Sequence, residues 1–206
     1  MQTPARRPLA SRNSRWAQRA ATLLARSAVT PNQISMISIV FACVGAVALV
    51  RASPLALLVA AVCVQLRLLC NLLDGMVAIE GGKQSPVGAL YNEFPDRIAD
   101  SVLLVALGYA ALVPWLGWLS ALLAAFTAYV RATGGALGIA QDFRGPMAKP
   151  HRMAVLTVAC IAGAAELYWI GTRYALLTAA ILIAAGSAMT CATRTLAIAR
   201  ALRARN

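Results

Sequence analysis

Apolar residues run in long blocks along this chain, and the polar ones gather between them. From Thr30 onward six stretches of spanning length follow one another, at about 30–50, 53–79, 88–112, 115–137, 152–170 and 173–196. Each is near or above the ~20 residues a helix needs to cross a bilayer. Thr30 reads as the N-cap of the first stretch, with Pro31 at the first helical position. Ser85 and Pro86 repeat that signal ahead of the third. A tight Pro114-Trp115-Leu116-Gly117-Trp118 turn precedes the fourth, and its Trp pair suits a membrane interface. Upstream, residues 14–28 place Trp16, Ala20, Leu23 and Leu24 on one face, with Arg15, Arg19 and Arg26 opposite. That is the pattern of a short helix lying on an anionic leaflet. The predicted fold is an all-α integral membrane protein: six transmembrane helices preceded by an N-terminal amphipathic interfacial helix. Its parts are a basic arm and amphipathic helix (1–29), a six-helix domain (30–197) and a basic tail (198–206).

Composition agrees with that reading. The chain is 60% hydrophobic and only 13% charged, whereas a soluble domain carries about 25% charged residues. The net charge of +12 does not point to nucleic acid, because the Arg residues sit at the ends of apolar runs instead of on one polar face. They mark the cytoplasmic side. The N-terminal arm, Lys83, the 138–151 loop with Arg144 and Lys149, and the tail with Arg200, Arg203 and Arg205 share one side. Arg51, the 113–118 turn, Glu166 and Arg173 share the other. Both termini are expected to be cytoplasmic, in a plasma (bacterial inner) membrane. Residues 1–13 are polar, basic and read as disordered, and residues 1–27 lack the apolar core of a signal peptide. Cys43, Cys63, Cys70, Cys160 and Cys191 lie inside apolar blocks without ligand spacing and read as small core residues.

The acidic residues are distributed quite differently. Of seven, five fall between Asn71 and Asp100: Asp74, Glu80, Glu93, Asp96 and Asp100. A carboxylate at the centre of a bilayer costs about 2.5–3.5 kcal/mol, so this cluster asks for counter-charge. Asn71 and Asp74, three apart, share a helix face. Gly88, Asn92, Asp96 and Asp100 form a stripe on the next helix, and Glu93, Asp96 and Asp100 form a second that overlaps it. Two antiparallel helices joined by the 80–87 loop would set these faces opposite each other. Oxygen ligands converging from two helices suit Mg²⁺ or Mn²⁺. Zinc is disfavoured, since the only His, His151, lies outside the cluster and reads as a loop or cap residue.

In this stretch the chain resembles the CDP-alcohol phosphotransferases. Their pattern is Asp-x2-Asp-Gly-x2-Ala-Arg-x8-Gly-x3-Asp-x3-Asp, and here it reads Asn71-x2-Asp74-Gly75-x2-Ala78-Ile79-x8-Gly88-x3-Asn92-x3-Asp96. Every spacing is kept. Thr30-Pro31-Asn32 ahead of the motif, and Tyr129 to Ala132 and Lys149 to Arg152 beyond it, extend the likeness over about residues 30–155. Three positions depart: Asn71 and Asn92 replace Asp, and Ile79 replaces Arg. The two amides remove two negative charges from a site meant for two dications. Glu93 and Asp100 are the obvious compensators, with Glu80 a third candidate, so one or two ions are expected.

The resemblance implies transfer of a phosphatidyl group from a CDP-linked lipid, such as CDP-diacylglycerol, to a small alcohol, releasing CMP. Asn71, Asp74, Asn92, Asp96, Glu93 and Asp100 would be metal ligands, with Asp96 or Glu93 taking the hydroxyl proton. Gly75, Ala78 and Gly88 would leave room for the nucleotide, or else serve close helix packing. Arg131, Lys149 and Arg152 would form a pocket for a phosphorylated acceptor, although Lys149 taken alone reads rather as an ordinary loop charge. A homodimer is also implied. Arg67, one turn deeper than Asn71, is expected to pair with Asp100 inside the membrane, which would make Asp100 structural. Two other readings stay open: transfer from a soluble CDP-alcohol onto diacylglycerol, and a non-catalytic scaffold or transporter that keeps the fold.

Overall fold

The computed structural model describes residues 14–205, so the expectation for residues 1–13 lies outside it. Every regular element among the described residues is a helix: α1 (Arg15–Arg26), α2 (Pro31–Arg51), α3 (Pro54–Glu80), α4 (Gly88–Ala110), α5 (Pro114–Ala136), α6 (Lys149–Trp169) and α7 (Tyr174–Arg203). Five of them, α2, α3, α5, α6 and α7, are long and apolar enough to cross a membrane. α4 is long enough, but it holds Glu93, Asp96, Arg97 and Asp100 in its first half.

Local chemistry explains most of the boundaries. Thr30 Oγ1 accepts from Gln33 N at 3.3 Å while Gln33 Oε1 accepts from Thr30 N at 2.9 Å, so α2 opens on a reciprocal capping box with Pro31 behind it. Ser53 caps α3 one way, its Oγ accepting from Ala56 N at 3.2 Å. Two expected signals fall elsewhere. Ser85 does not cap α4; its carbonyl accepts from Gly88 N at 3.0 Å in a tight turn, and the helix starts two residues after Pro86. Trp115 to Trp118 form the first turn of α5 and not a connection, because Pro114 already occupies its first position. At the other end, α7 runs unbroken through the residues expected to form a separate tail.

The helices close into a ring in the order α2, α4, α5, α7, α6, α3. α3 and α4, consecutive in sequence, are held apart along most of their length by α2, which packs on both. This corrects the picture of a simple α3–α4 hairpin. The core is built from small and medium residues, among them Ala42, Leu49, Leu57, Val64, Leu103, Leu107, Leu156, Leu176 and Ile183. The outer surface is apolar as well, with Val40, Val47, Leu55, Val62, Leu122 and Ile181 exposed. α1 lies across α3, with Ala17 and Ala21 buried against Leu73, Met76 and Val77. Lys83 Nζ anchors the 81–87 loop there, donating to the carbonyls of Ser27 and Val29.

One crossing depends on the absence of side chains. A Cβ on Gly108 of α4 would lie 2.5 Å from the Gly117 Cα, and one on Gly117 would lie 2.8 Å from the Gly108 Cα. Gly108→Val should therefore force α4 and α5 apart at a cost of about 1–3 kcal/mol. A thermal melt of purified protein in detergent checks this, and a transition unchanged from wild type would refute the close crossing.

A candidate lipid-phosphotransfer site at the acidic end of the ring

The acidic residues meet at the end of the bundle where α3 finishes and α4 and α6 begin. Asp74, on the last two turns of α3, is 4% exposed. Its Oδ2 accepts from Ser35 Oγ of α2 at 2.6 Å, while its Oδ1 is buried without a partner. A buried carboxylate oxygen with no donor is costly. It is also what a cation ligand looks like before the cation is counted.

Asp96 reaches the same space from α4. Pro95 precedes it and cannot donate to the carbonyl of Tyr91, so the helix ladder is already open there. Asp96 Oδ1 accepts from Asn71 Nδ2 at 2.7 Å and from Arg67 at 3.5 Å. Its Oδ2 accepts from Lys149 Nζ at the start of α6, with Arg97 3.7 Å away. Asn71 thus does what Asp could not. Two carboxylates in that contact would need a cation between them, whereas an amide bonds the second carboxylate directly.

Deeper in the ring, Arg67 and Arg152 are almost wholly buried and grip Asp100 from two helices. Arg67 donates to Oδ1 at 2.5 Å and Arg152 to Oδ2 at 3.0 Å. The pairing of Arg67 with Asp100 expected from their depth is present, and Arg152 completes it. Arg152 also donates to the carbonyl of Met147 at 2.9 Å. Each Asp100 oxygen is held by a guanidinium group, and the residue is buried. Glu93 lies on the rim, where Oε1 accepts from Arg131 at 2.6 Å. Arg131 is steadied in turn by Gln141 at 3.3 Å and by the Phe143 ring at 5.0 Å.

The residues expected to act together are thus divided. Asn71, Asp74, Asp96 and Lys149 share one space. Asp100 and Arg152 belong to the buried lock, and Glu93 and Arg131 to the rim. Asn92 is exposed one turn ahead of Asp96, and Glu80 is exposed at the end of α3. Gly75 and Ala78 are half-buried beyond Asp74, and a Cβ on Gly88 would meet only Ser85 Oγ at 3.4 Å, so the fold itself does not demand glycine there. Among the described residues no three His, Cys, Asp or Glu side chains converge as a metal site.

Three participants carried no clear signal in the sequence. Ser35 looks like any small polar residue in a span. Arg97 adjoins Asp96 in sequence, where side chains normally diverge, and its length brings it back. Arg194 of α7 donates to the carbonyls of Arg144 and Thr127, both at 2.8 Å, and so fixes the 137–148 loop beneath the site. Gly145 in that loop has φ of +142° with Thr190 against its Cβ position, so only glycine seats it. Hydrogen bonds from Arg144 hold Asp142 in the same loop below the ordinary carboxylate range.

Comparison with known proteins gives this geometry a context. The chain is 32% identical over 173 residues to the archaetidylinositol phosphate synthase of Aeropyrum pernix, covering 82% of this chain and 84% of that one. Its fold is similar to that of Mycobacterium tuberculosis phosphatidylinositol phosphate synthase solved with CDP-DAG bound, at 23% identity and a TM-score of 0.75, covering 90% of this chain and 94% of that one. The same synthase in complex with manganese and citrate superposes with a TM-score of 0.74, at 23% identity and 88% coverage of each chain. Residues 28–192 match the family described as CDP-alcohol phosphatidyltransferase, and the chain, an enzyme of that phosphotransferase type, belongs to it.

Proposed function

We propose that this enzyme transfers the lipid-bearing phosphate of a CDP-linked lipid, of the CDP-diacylglycerol class, to the hydroxyl of a small polar alcohol. The observation that carries this reading is the buried, donorless Oδ1 of Asp74 beside the Asn71–Asp96 contact, at the meeting point of three helices. Asp74 and Asn71 would hold Mg²⁺ or Mn²⁺ through oxygen, and such an ion, when bound, supplies positive charge to the pyrophosphate. The manganese named for the mycobacterial synthase supports the choice of ion.

This chain's own residues do the rest. Ser35 orients the Asp74 carboxylate through its 2.6 Å hydrogen bond. Asp96 is the carboxylate placed to take the proton of the attacking hydroxyl; the hydroxyl oxygen bonds to the β-phosphorus, the bond to the CMP oxygen breaks, and CMP departs. Arg97, Arg131 and Lys149 face this space with positive charge and suit an acceptor that is itself phosphorylated. The inositol phosphate product named for the archaeal relative supports that class. Arg152 braces Asp100 in this scheme instead of touching the acceptor.

α4 completes six crossings, since its charged residues find partners inside the ring and leave an apolar outer face. The basic residues at the acidic end support cytoplasmic termini, and the exposed Trp16 and Leu23 of α1 suit the headgroup layer. CMP release from CDP-diacylglycerol by the purified protein, with Mg²⁺ or Mn²⁺ and a panel of free and phosphorylated alcohols, tests the reading. Turnover should require a dication and favour the phosphorylated acceptors. CMP released only when soluble CDP-alcohols are supplied with diacylglycerol would reverse the direction of transfer, and no CMP under any combination would reject the activity.

A further inference from the structure

Resting on that reading, we infer that the site binds one dication, at Asp74, and that the Lys149 ammonium takes the place of a second. Lone-pair counting leads there. An ionised carboxylate offers about four acceptor positions. Asp96 Oδ1 accepts from Asn71 and Arg67 and its Oδ2 from Lys149, with the Arg97 guanidinium 3.7 Å from Oδ2 as an ion pair. Asp74, the other carboxylate in that space, keeps one buried oxygen wholly unclaimed. The two are thus unequal ligands, one with three of its acceptor positions taken by N–H groups and one with a whole oxygen open.

Charge points the same way. Around the cleft the carboxylates of Asp74, Glu93, Asp96 and Asp100 face Arg67, Arg97, Arg131, Lys149 and Arg152, so cations already outnumber anions by one. Asp at 71 and 92 would have called for further positive charge; Asn at both positions does not. The Asn71 amide is the adaptor between the halves. Its nitrogen is committed to Asp96, which turns its carbonyl oxygen away from that residue and leaves it for a cation shared with Asp74, on the same face of α3. Lys149 is 13% exposed and cannot leave its contact without stranding a buried ammonium.

The test counts ions. Full-length protein in detergent micelles containing CDP-diacylglycerol is titrated with Mn²⁺, and bound ions per chain are read by electron paramagnetic resonance against protein-free micelles. Wild type should saturate at one ion, and Asp74→Asn should bind that ion only at far higher Mn²⁺. Asn71→Asp combined with Lys149→Met makes the cleft more negative by two charges, which one further dication offsets. That variant should bind two ions with the broadened spectrum of a coupled pair. Two ions in wild type would overturn the inference while leaving the proposed activity intact. So would a variant that melts and elutes like wild type yet still binds one. A wild type that binds none would overturn the metal-dependent reading itself.

Discussion

Asp74→Asn and Asp96→Asn should each lower CMP release by at least about 100-fold, the scale on which a single preorganised charge at a reacting phosphate is felt. The two losses should differ in kind. Asp74→Asn removes a charge from the open ligand, so raising Mn²⁺ should recover part of the rate. Asp96→Asn leaves Asp74 untouched and removes the proton acceptor, so added Mn²⁺ should recover nothing. Assays at rising Mn²⁺ with saturating lipid separate the two. Identical responses in both variants would refute the division of labour between these carboxylates. Ser35→Ala should give a milder version of the Asp74 defect, since it costs Oδ2 its hydrogen-bond donor without altering charge.

Arg67→Leu should produce the largest loss of stability of any single change in the ring. Arg67 is fully buried, and its guanidinium ties Asp100 and the Asp96 backbone of α4 to Met153 of α6. Removing one partner from a buried ion pair costs about 3–5 kcal/mol. Arg152 still holds one Asp100 oxygen, so the lower half of that range is expected here. Arg67→Leu combined with Asp100→Leu removes the stranded charge on the pair's own axis but leaves Arg152 unpaired, so it should recover little. Thermal melts of the two variants against wild type decide the matter. An unchanged midpoint for Arg67→Leu would mean the lock carries no weight.

Much of this architecture was legible in the residues. Six apolar blocks located six helices to within a few positions, save that α7 runs seven residues past its block, and Thr30 with Pro31 announced the start of α2 as found. The depth of Arg67 within an apolar block sufficed to pair it with Asp100, because a charge that cannot reach water must find its opposite. Ser85 with Pro86 misled, since the same dipeptide suits a tight turn as well as a helix start, and nothing local separates the two. The ring order was not legible at all. Periodicity says which face of a helix is apolar but not which helix covers it, so α2 between α3 and α4 could not be foreseen. Nor could the splitting of the acidic set. Spacing along α4 aligned Glu93, Asp96 and Asp100 on overlapping stripes, but their cationic partners come from α3, α5 and α6 and differ at each level.

The lock around Asp100 also bears on how the chain is made. Its two guanidinium groups come from opposite directions in the sequence, Arg67 before it and Arg152 after it by 52 residues. A ribosome delivers α4 to the membrane while α6 is still unsynthesised, so only Arg67 is on hand to escort that carboxylate into lipid. The lock then waits for α6, whose Lys149 and Arg152 arrive together and supply the cationic partners of Asp96 and Asp100. The cationic side of the cleft is therefore incomplete until the penultimate helix has been made.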